Sequence, residues 1–399
     1  MIGRSITMSE TQEAVGERLL MIPGPVPVAE SIREALAQPT LGHRDPQFVA
    51  HFRSALHKLL RLVDGADALP VIVAGSGTLA MEMALLNTLP AQAPILIATQ
   101  GVFGDRMRQI ADTLGLETDE VRAEMGQAVT PEQLQVALQQ RRYNAVTLTH
   151  VDTSTGTMVD LRALAGVIKA QQPEALILVD GVCATGGVPE YMDAWDIDLI
   201  LAGSQKALGL PPGLALLIVG PRAQAARRAL ARVPSYYGDW ERWRPIMENP
   251  DGYFATPATN LVVALDRALA MIFEEGPEAR FARHEAMARG LRRGLAELGF
   301  ESFAATEHQA PTLSVLRYPS GVDAGQLLRD MYNQGIVIAD GIGKLAGQVC
   351  RIGHMGNIGA REILQVVDTA ERVLGGGRAN GSAMRAARAA LQETGLSET

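Results

Sequence analysis

The sequence has little thiol chemistry. Only two of its 399 residues are cysteine, Cys183 and Cys350. No disulfide framework can staple the fold, and a reducing compartment is expected. Long apolar runs are missing too: none approaches the ~20 residues that a membrane-spanning helix needs. The first twenty residues, MIGRSITMSETQEAVGERLL, hold no apolar core of a secretion signal, and a cytoplasmic location is expected. Positive charge is not in excess. The formal net charge is −8, which gives no electrostatic footprint for nucleic acid or an anionic membrane. The seven histidines lack ligand-like spacing; His51 and His57, six apart, share a helix face poorly, and no metal site is expected. No internal repeat is visible.

What is present is the composition of a globular protein, 47% hydrophobic and 20% charged, at a length that favours two domains. Short apolar runs predict strands at 69–75, 93–99, 145–151, 175–181, 198–204 and 214–220. They are apolar throughout instead of alternating, as strands are when both faces of a sheet are covered. Helical stretches such as LRALAGVIKAQQPE lie between them, which predicts an α/β fold with a mostly parallel sheet. A helical pattern fills 257–299. Beyond it, segments such as APTLSVLRYP and GQVCRIGHMG predict a smaller α+β domain. The expected divisions are an N-terminal arm over 1–20, a large domain over 21–268, a small domain over 269–375 and a peripheral tail over 376–399. The tail has room for a glycine hinge and one helix.

In open α/β sheets, ligands bind outside the carboxyl ends of the strands. Polar residues that follow the apolar runs are therefore the candidates. Lys206 follows DLILAGS and precedes ALGLPPG. A desolvated amine is more often neutral, hence nucleophilic, and suited to a Schiff base; a loop lysine in water is the plainer alternative. Asp180 ends ALILVD. A buried carboxylate costs free energy unless paired; a pyridinium nitrogen would pair it, and a helix cap would explain it otherwise. In AGSGTLAMEMALL a strand meets a glycine turn and then a helix, so the N–H groups of Ser76, Gly77 and Thr78 would face a phosphate. In GVFGDR, Phe103 stands between small residues, where it could lie on an aromatic ring or in the core. A lysine, an acid, a phosphate cradle and an aromatic, each after a separate strand, are what pyridoxal phosphate requires.

Through these residues the chain resembles the class V aminotransferases of fold type I, and among them the alanine–glyoxylate and serine–glyoxylate branch. The similarity runs from MIPGPVPV (21–28) to about residue 375. It is carried by GSQKAL with PPG, and also by GHRDPQF, GSGT, THVDTSTG, LVDGV, YFATPAT and CRIGHMG. The resemblance implies a large domain with a seven-stranded type of sheet, and pyridoxal 5'-phosphate as cofactor. It implies that Lys206 forms the Schiff base, Asp180 meets the pyridine nitrogen and Phe103 stacks on the ring. Ser76, Gly77, Thr78 and Gln205 would hold the phosphate, and a hydroxyl of Thr153 would bond the cofactor. Tyr253 and Thr256 would reach the phosphate from a partner subunit, which implies a homodimer with shared active sites. Arg351 would grip a substrate α-carboxylate with its planar fork, with Gly24 and Arg44 also at the substrate. The implied reaction moves an amino group between alanine or serine and glyoxylate or pyruvate, in ping-pong order.

The chain departs from the family in one place. DGVCAT puts Cys183 and Ala184 where a serine near the substrate carboxylate is common, which leaves the donor open. The pair His43–Arg44 occurs in phosphoserine aminotransferases as well, so it fits either a side-chain contact or an interface loop. A lyase such as a cysteine desulfurase would need a reactive cysteine on a loop, whereas Cys350 reads as a core residue of a strand. A non-catalytic subunit of the same fold is the third reading.

Overall fold

The computed structural model describes residues 18–375 and 380–396. Most of the arm expected over 1–20 lies outside these residues. Its last part, Leu19–Leu20, pairs in parallel with Ile336–Val337.

Seven strands form the central sheet: β1 (Leu69–Ala74), β2 (Pro94–Thr99), β3 (Glu117–Arg122), β4 (Ala145–Thr149), β5 (Leu176–Asp180), β6 (Leu199–Gly203) and β7 (Leu214–Val219). Their spatial order is β1-β7-β6-β5-β4-β2-β3. Only β7 runs antiparallel to its neighbours; the other pairs are parallel. Side chains alternate between two cores. Ile95 and Ile97 of β2 join the cluster on one face, and Leu96 and Ala98 join the cluster on the other. Burial on both faces is why the six apolar runs do not alternate. The sequence reading missed β3, whose residues are ETDEVR. It is the edge strand, paired to β2 alone and half-exposed. Its charges discourage further pairing and bond locally, as Arg122 Nε does with Glu120 at 2.7 Å.

Helices flank this sheet. The pattern over 257–299 is two helices, α5 (Thr259–Glu275) and α6 (Pro277–Ala296), after α1 (Glu30–Ala37), α2 (Pro46–Leu62), α3 (Gly77–Thr88) and α4 (Val102–Thr113). They meet at Gly276, whose φ of +89° suits glycine. The core they serve changes at that residue. Val262, Leu265 and Leu269 of α5 pack into the cluster on the central sheet. Met287, Leu291 and Leu295 of α6 pack into another, which includes Leu316, Cys350 and Ile352. Those three lie in an antiparallel sheet of β8 (Glu301–Ser302), β9 (Leu313–Arg317), β10 (Ala339–Asp340) and β11 (Val349–Gly353), in the order β8-β9-β11-β10.

The tail carries the one helix expected, the expected glycine hinge falls largely outside the described residues, and the peripheral position is what differs. Helix α7 (Ala360–Gly375) is followed by α8 (Ser382–Glu393), and α8 buries Ala383, Ala387, Ala390 and Leu391. Small residues allow the close approach: a Cβ on Gly290 would stand 2.8 Å from Leu391 Cγ, and one on Gly294 would stand 3.0 Å from Ala387 Cβ. That alanine stripe makes α8 part of the core instead of a peripheral appendage.

Candidate active site

The loops after β4, β5 and β6 meet at the carboxyl end of the sheet. Lys206 lies three residues past β6. Ser204 ties this turn to the stiff segment behind it. Its hydroxyl donates to Pro211 O at 2.7 Å and accepts from Leu214 N at 3.1 Å. Lys206 is half-buried, and its Nζ donates to the carbonyl of Pro23. Gly24 wraps the amine: its φ is +118°, and a Cβ there would stand 2.6 Å from Lys206 Cδ and 2.7 Å from Nζ. Only glycine leaves that space.

Asp180 closes β5 and is 3% exposed. Its Oδ1 accepts from Val182 N at 3.0 Å. Burial pushes its pKa up to about 7, and the nearby carboxyls of Asp152 and Glu190 push the same way; the Val182 N–H and the Lys206 charge oppose the rise. A carboxyl in that position has strong use for a cationic partner.

Asp152 was not singled out from the sequence. It is fully buried and accepts from Ser154 N at 2.8 Å and from Phe103 N at 2.9 Å. Burial raises its pKa against those bonds. The turn therefore clamps the first residues of α4, where Phe103 sits. Thr153 is buried in the same turn. The Arg106 guanidinium lies 4.7 Å over the Phe103 ring, and its Nη1 is 3.4 Å from Thr78 Oγ1. An available signal was the string DTST, the usual composition of a turn in which the acid accepts from its own backbone.

Ser76 caps α3 in extended conformation without spending its hydroxyl on the helix. Gly77 is buried against the loop of Asp180: a Cβ there would stand 2.7 Å from Val182 Cγ2. Gln205 shares the spot. A Cβ on Gly203 would stand 3.0 Å from Gln205 Oε1 and 3.5 Å from Gly77 N. Gln205 Oε1 is buried and has no partner among the described residues. The N–H groups at the α3 N-terminus and the exposed Ser76 and Thr78 hydroxyls are donors that could hold an anion, with the Gln205 side-chain NH2 as a further donor, while its buried Oε1 still calls for a donor of its own.

Arg351 is in β11, opposite Val315 and Ala339. Its Nε donates to Asp340 O at 2.7 Å. Among the described residues no hydrogen bond takes its Nη groups, which could fork onto a carboxylate. Burial lowers its pKa, while the carboxylate of Asp340 opposes the shift; an arginine still stays charged. Cys183 is buried with Sγ 3.9 Å from Met355 Sδ. Burial pushes its thiol up to about 11, with the Lys206 charge opposing. Cys350 is buried as well and is pushed up to about 12 by burial. Neither thiol is a ready nucleophile.

Contacts thus link Gly24 to Lys206, Gly77 and Gln205 to the loops after Asp180 and β6, and the Phe103 backbone to Asp152 in the turn that holds Thr153, while the charges of Lys206 and Asp152 both act on Asp180. Tyr253, Thr256 and Arg44 lie at the surface. Tyr253 is 56% exposed, with its hydroxyl 3.5 Å from Thr256 Oγ1 and its ring 5.0 Å from that of His43. Thr256 and Arg44 are exposed. Among the described residues, no group of three or more His, Cys, Asp or Glu could hold a metal ion, and no helix is long and apolar enough to cross a membrane.

A family model described as aminotransferase class-V matches residues 30–361. The chain belongs to the class V aminotransferases. This class V aminotransferase is 35% identical over 363 residues to alanine–glyoxylate aminotransferase 1 of Saccharomyces cerevisiae, across 84% of this chain and 91% of that one. It is 36% identical over 360 residues to a protein of Synechococcus sp. (strain PCC 6716) named "Soluble hydrogenase, small subunit", across 89% and 92%. Its fold matches the crystal structure of an alanine–glyoxylate aminotransferase from Nostoc sp. with a TM-score of 0.87 at 30% identity, over 92% of this chain and 98% of that one.

Proposed function

We propose that this class V aminotransferase binds pyridoxal phosphate and moves the amino group of alanine or serine to glyoxylate or pyruvate. The observation that carries the reading is the meeting of Lys206 and Asp180 in one centre, the amine lodged against Gly24 and Pro23 and the acid buried at the end of β5. The relatives named for alanine and glyoxylate support the choice of substrates.

The residues fit the cofactor. Asp180 would face the ring nitrogen, Phe103 and Thr153 would hold the ring, and the α3 N-terminus with Ser76, Gly77, Thr78 and Gln205 would take the phosphate. When bound, pyridoxal phosphate supplies an electron sink for the α-carbon of the amino acid. Lys206 takes the α-proton as base and returns it as acid. Asp180 keeps a negative charge behind the ring. Arg351 fixes the α-carboxylate through its two Nη groups. Gly24 keeps the space around the amine clear. Tyr253 and Thr256 complete the phosphate site of a second copy in a homodimer, with Arg44 beside them. We place the division between large and small domains within the helical stretch around Gly276.

The hydrogenase name of one relative favours another reading, a subunit that keeps the fold without the reaction. An absorbance spectrum separates the two. The purified protein with added pyridoxal phosphate should show a visible band that alanine or serine bleaches and glyoxylate restores. A protein that gains no band sinks the proposal. A panel in which phosphoserine, cysteine or an aromatic amine is the best donor overturns the choice of substrates alone.

A further inference from the structure

Three loops carry the groups proposed for the reaction: the one after Asp180, the one after Lys206 and the one after Arg351. All three end on the same short stretch of α6. Arg280 is 3% exposed. Its Nε donates to Gly186 O at 3.1 Å, six residues past Asp180, and its Nη2 donates to Ala207 O at 2.8 Å, next to Lys206. One turn further along α6, His284 is fully buried. Its Nδ1 is 3.0 Å from Gly187 O, and its Nε2 is 3.0 Å from Gly356 N. A carbonyl only accepts and an amide N–H only donates, so the imidazole is neutral with its proton on Nδ1. Burial holds its pKa well below the ordinary value, in the same sense. Arg283 donates to Gly356 O at 3.0 Å and to Ile358 O. Asn357 closes the ring of contacts by donating to Gly209 O at 3.0 Å.

We infer that Arg280 and His284 are positioning residues, which hold the Asp180 loop, the Lys206 loop and the loop after Arg351 at fixed spacing. The inference rests on the roles proposed above for those three residues. The chemistry of the two side chains carries it. A buried guanidinium is costly, and Glu275 at 2.9 Å answers only part of its charge. Apolar packing would join two loops at less cost. What the guanidinium adds is a rigid plane: Nε and Nη2 lie on it at a set separation, so the carbonyls of Gly186 and Ala207 are held at a set separation too. The buried imidazole does the same for Gly187 and Gly356, with one donor and one acceptor. None of these four side-chain atoms faces the reacting groups, so the two residues act through the main chain.

Two measurements test this. The first is hydrogen exchange on the cofactor-free protein, followed at the amides of Gly187, Gly209 and Gly356. Arg280→Lys keeps the charge and loses the plane. It should speed exchange at Gly187 and Gly209 together. His284→Leu should speed it at Gly187 and Gly356 together. His284→Gln, whose amide can donate and accept, should restore protection. Faster exchange at one loop alone overturns the inference. The second measurement is turnover per bound cofactor, since a misplacement of about 1 Å can cost about 10²-fold. For Arg280→Lys and His284→Leu, kcat per bound cofactor should fall about 10- to 100-fold, with KM changed less and with recovery in His284→Gln. Lowered thermal stability with kcat per bound cofactor unchanged also overturns it, because that is what a merely structural pair would give. If Arg280→Lys does not fold, the two His284 variants carry the test. A wild type that binds no pyridoxal phosphate would defeat the proposed function, while the paired exchange at the loops would still decide the spacing.

Discussion

Lys206 and Tyr253 carry polar atoms proposed to serve one cofactor, yet their surroundings differ. Around Lys206 the chain itself provides the walls: the Pro23 carbonyl, the Gly24 backbone and a turn locked by Ser204. Around Tyr253 there is solvent on more than half of the side chain, a 3.5 Å contact with Thr256 and a tilted contact with His43. The first region is finished within one chain. The second presents a hydroxyl pair, an imidazole and the exposed Arg44 with little of the chain around them. Ordering of polar groups costs conformational entropy, and a fold spends its own contacts where a group must be fixed before ligand arrives. The contrast teaches that the lysine centre is preorganised by this chain and that the tyrosine patch needs something further to fix it.

The contrast breaks first at the lysine. Lys206→Ala removes the amine and leaves its cage, so the visible band of the bound cofactor should vanish and turnover should fall by about 10⁴-fold, the upper end for lost acid–base assistance. Retained turnover would show that the cage has another purpose. Asp180→Asn comes next, with an expected loss of about 10²-fold or more in kcat. Near-normal turnover would make this acid structural. The same variant has a second signature in the cofactor-free protein. Asp180 binds its proton more tightly folded than unfolded, since burial raises its pKa to about 7. Between the ordinary carboxylate range near pH 4 and about pH 7 the folded state holds the extra proton, so stability falls as pH rises through that window. Asp180→Asn should remove this slope. Its thermal midpoint should gain on that of wild type between pH 4 and 7, and parallel curves would show that the acid is not strained by burial.

Arg351→Lys tests the edge of the centre. Arg351 Nε is committed to Asp340 O, so a lysine loses both that anchor and the fork. A charge-assisted hydrogen bond is worth roughly 1.5–3 kcal/mol, and kcat/KM should fall by about 10- to 150-fold for all amino donors alike. A loss confined to one donor would place this residue at the side chain instead of the α-carboxylate.

The sequence made some of this legible because the relevant information is local. An apolar run that stops at Asp180, or at the turn before Lys206, says where a buried strand ends and a polar group must be placed. Gly24 could be marked only through the motif around it, because its reason, the Lys206 side chain, is far along the chain. Strand β3 was hidden because an edge strand keeps its charges and half of its surface. Asp152 had a local turn signal that went unread, while its neighbour Thr153 was marked only through the family motif. Arg280 and His284 had none. Arg280 joins Gly186 and Ala207 across 94 and 73 residues, and within α6 it looks like any charged helical residue. The same holds for α8, whose alanines gain meaning only against Gly290 and Gly294.

The smallest expected effect is at the tyrosine patch, and it bears most directly on the contrast. Tyr253→Phe removes one hydroxyl from an exposed position, where water replaces much of what is lost. A net hydrogen bond of about 0.5–1.5 kcal/mol corresponds to about a 2- to 10-fold weaker hold on pyridoxal phosphate. If a second copy brings its cofactor phosphate to this hydroxyl, the weakening should appear only at protein concentrations where the chain is paired. On dilution to single chains, wild type and variant should bind alike, both more weakly than the paired wild type. Thr256→Ala should behave in the same way, and Arg44→Ala should hurt acidic donors more than alanine if it faces a substrate side chain across the pair. Cofactor titrations over a range of protein concentrations, with sedimentation at each, measure all of this. Equal binding by wild type and Tyr253→Phe at every concentration would leave the patch without a role at the phosphate. A deficit that persists in single chains would show that the hydroxyl reaches the centre of its own chain, and the contrast between the finished and the unfinished region would fail.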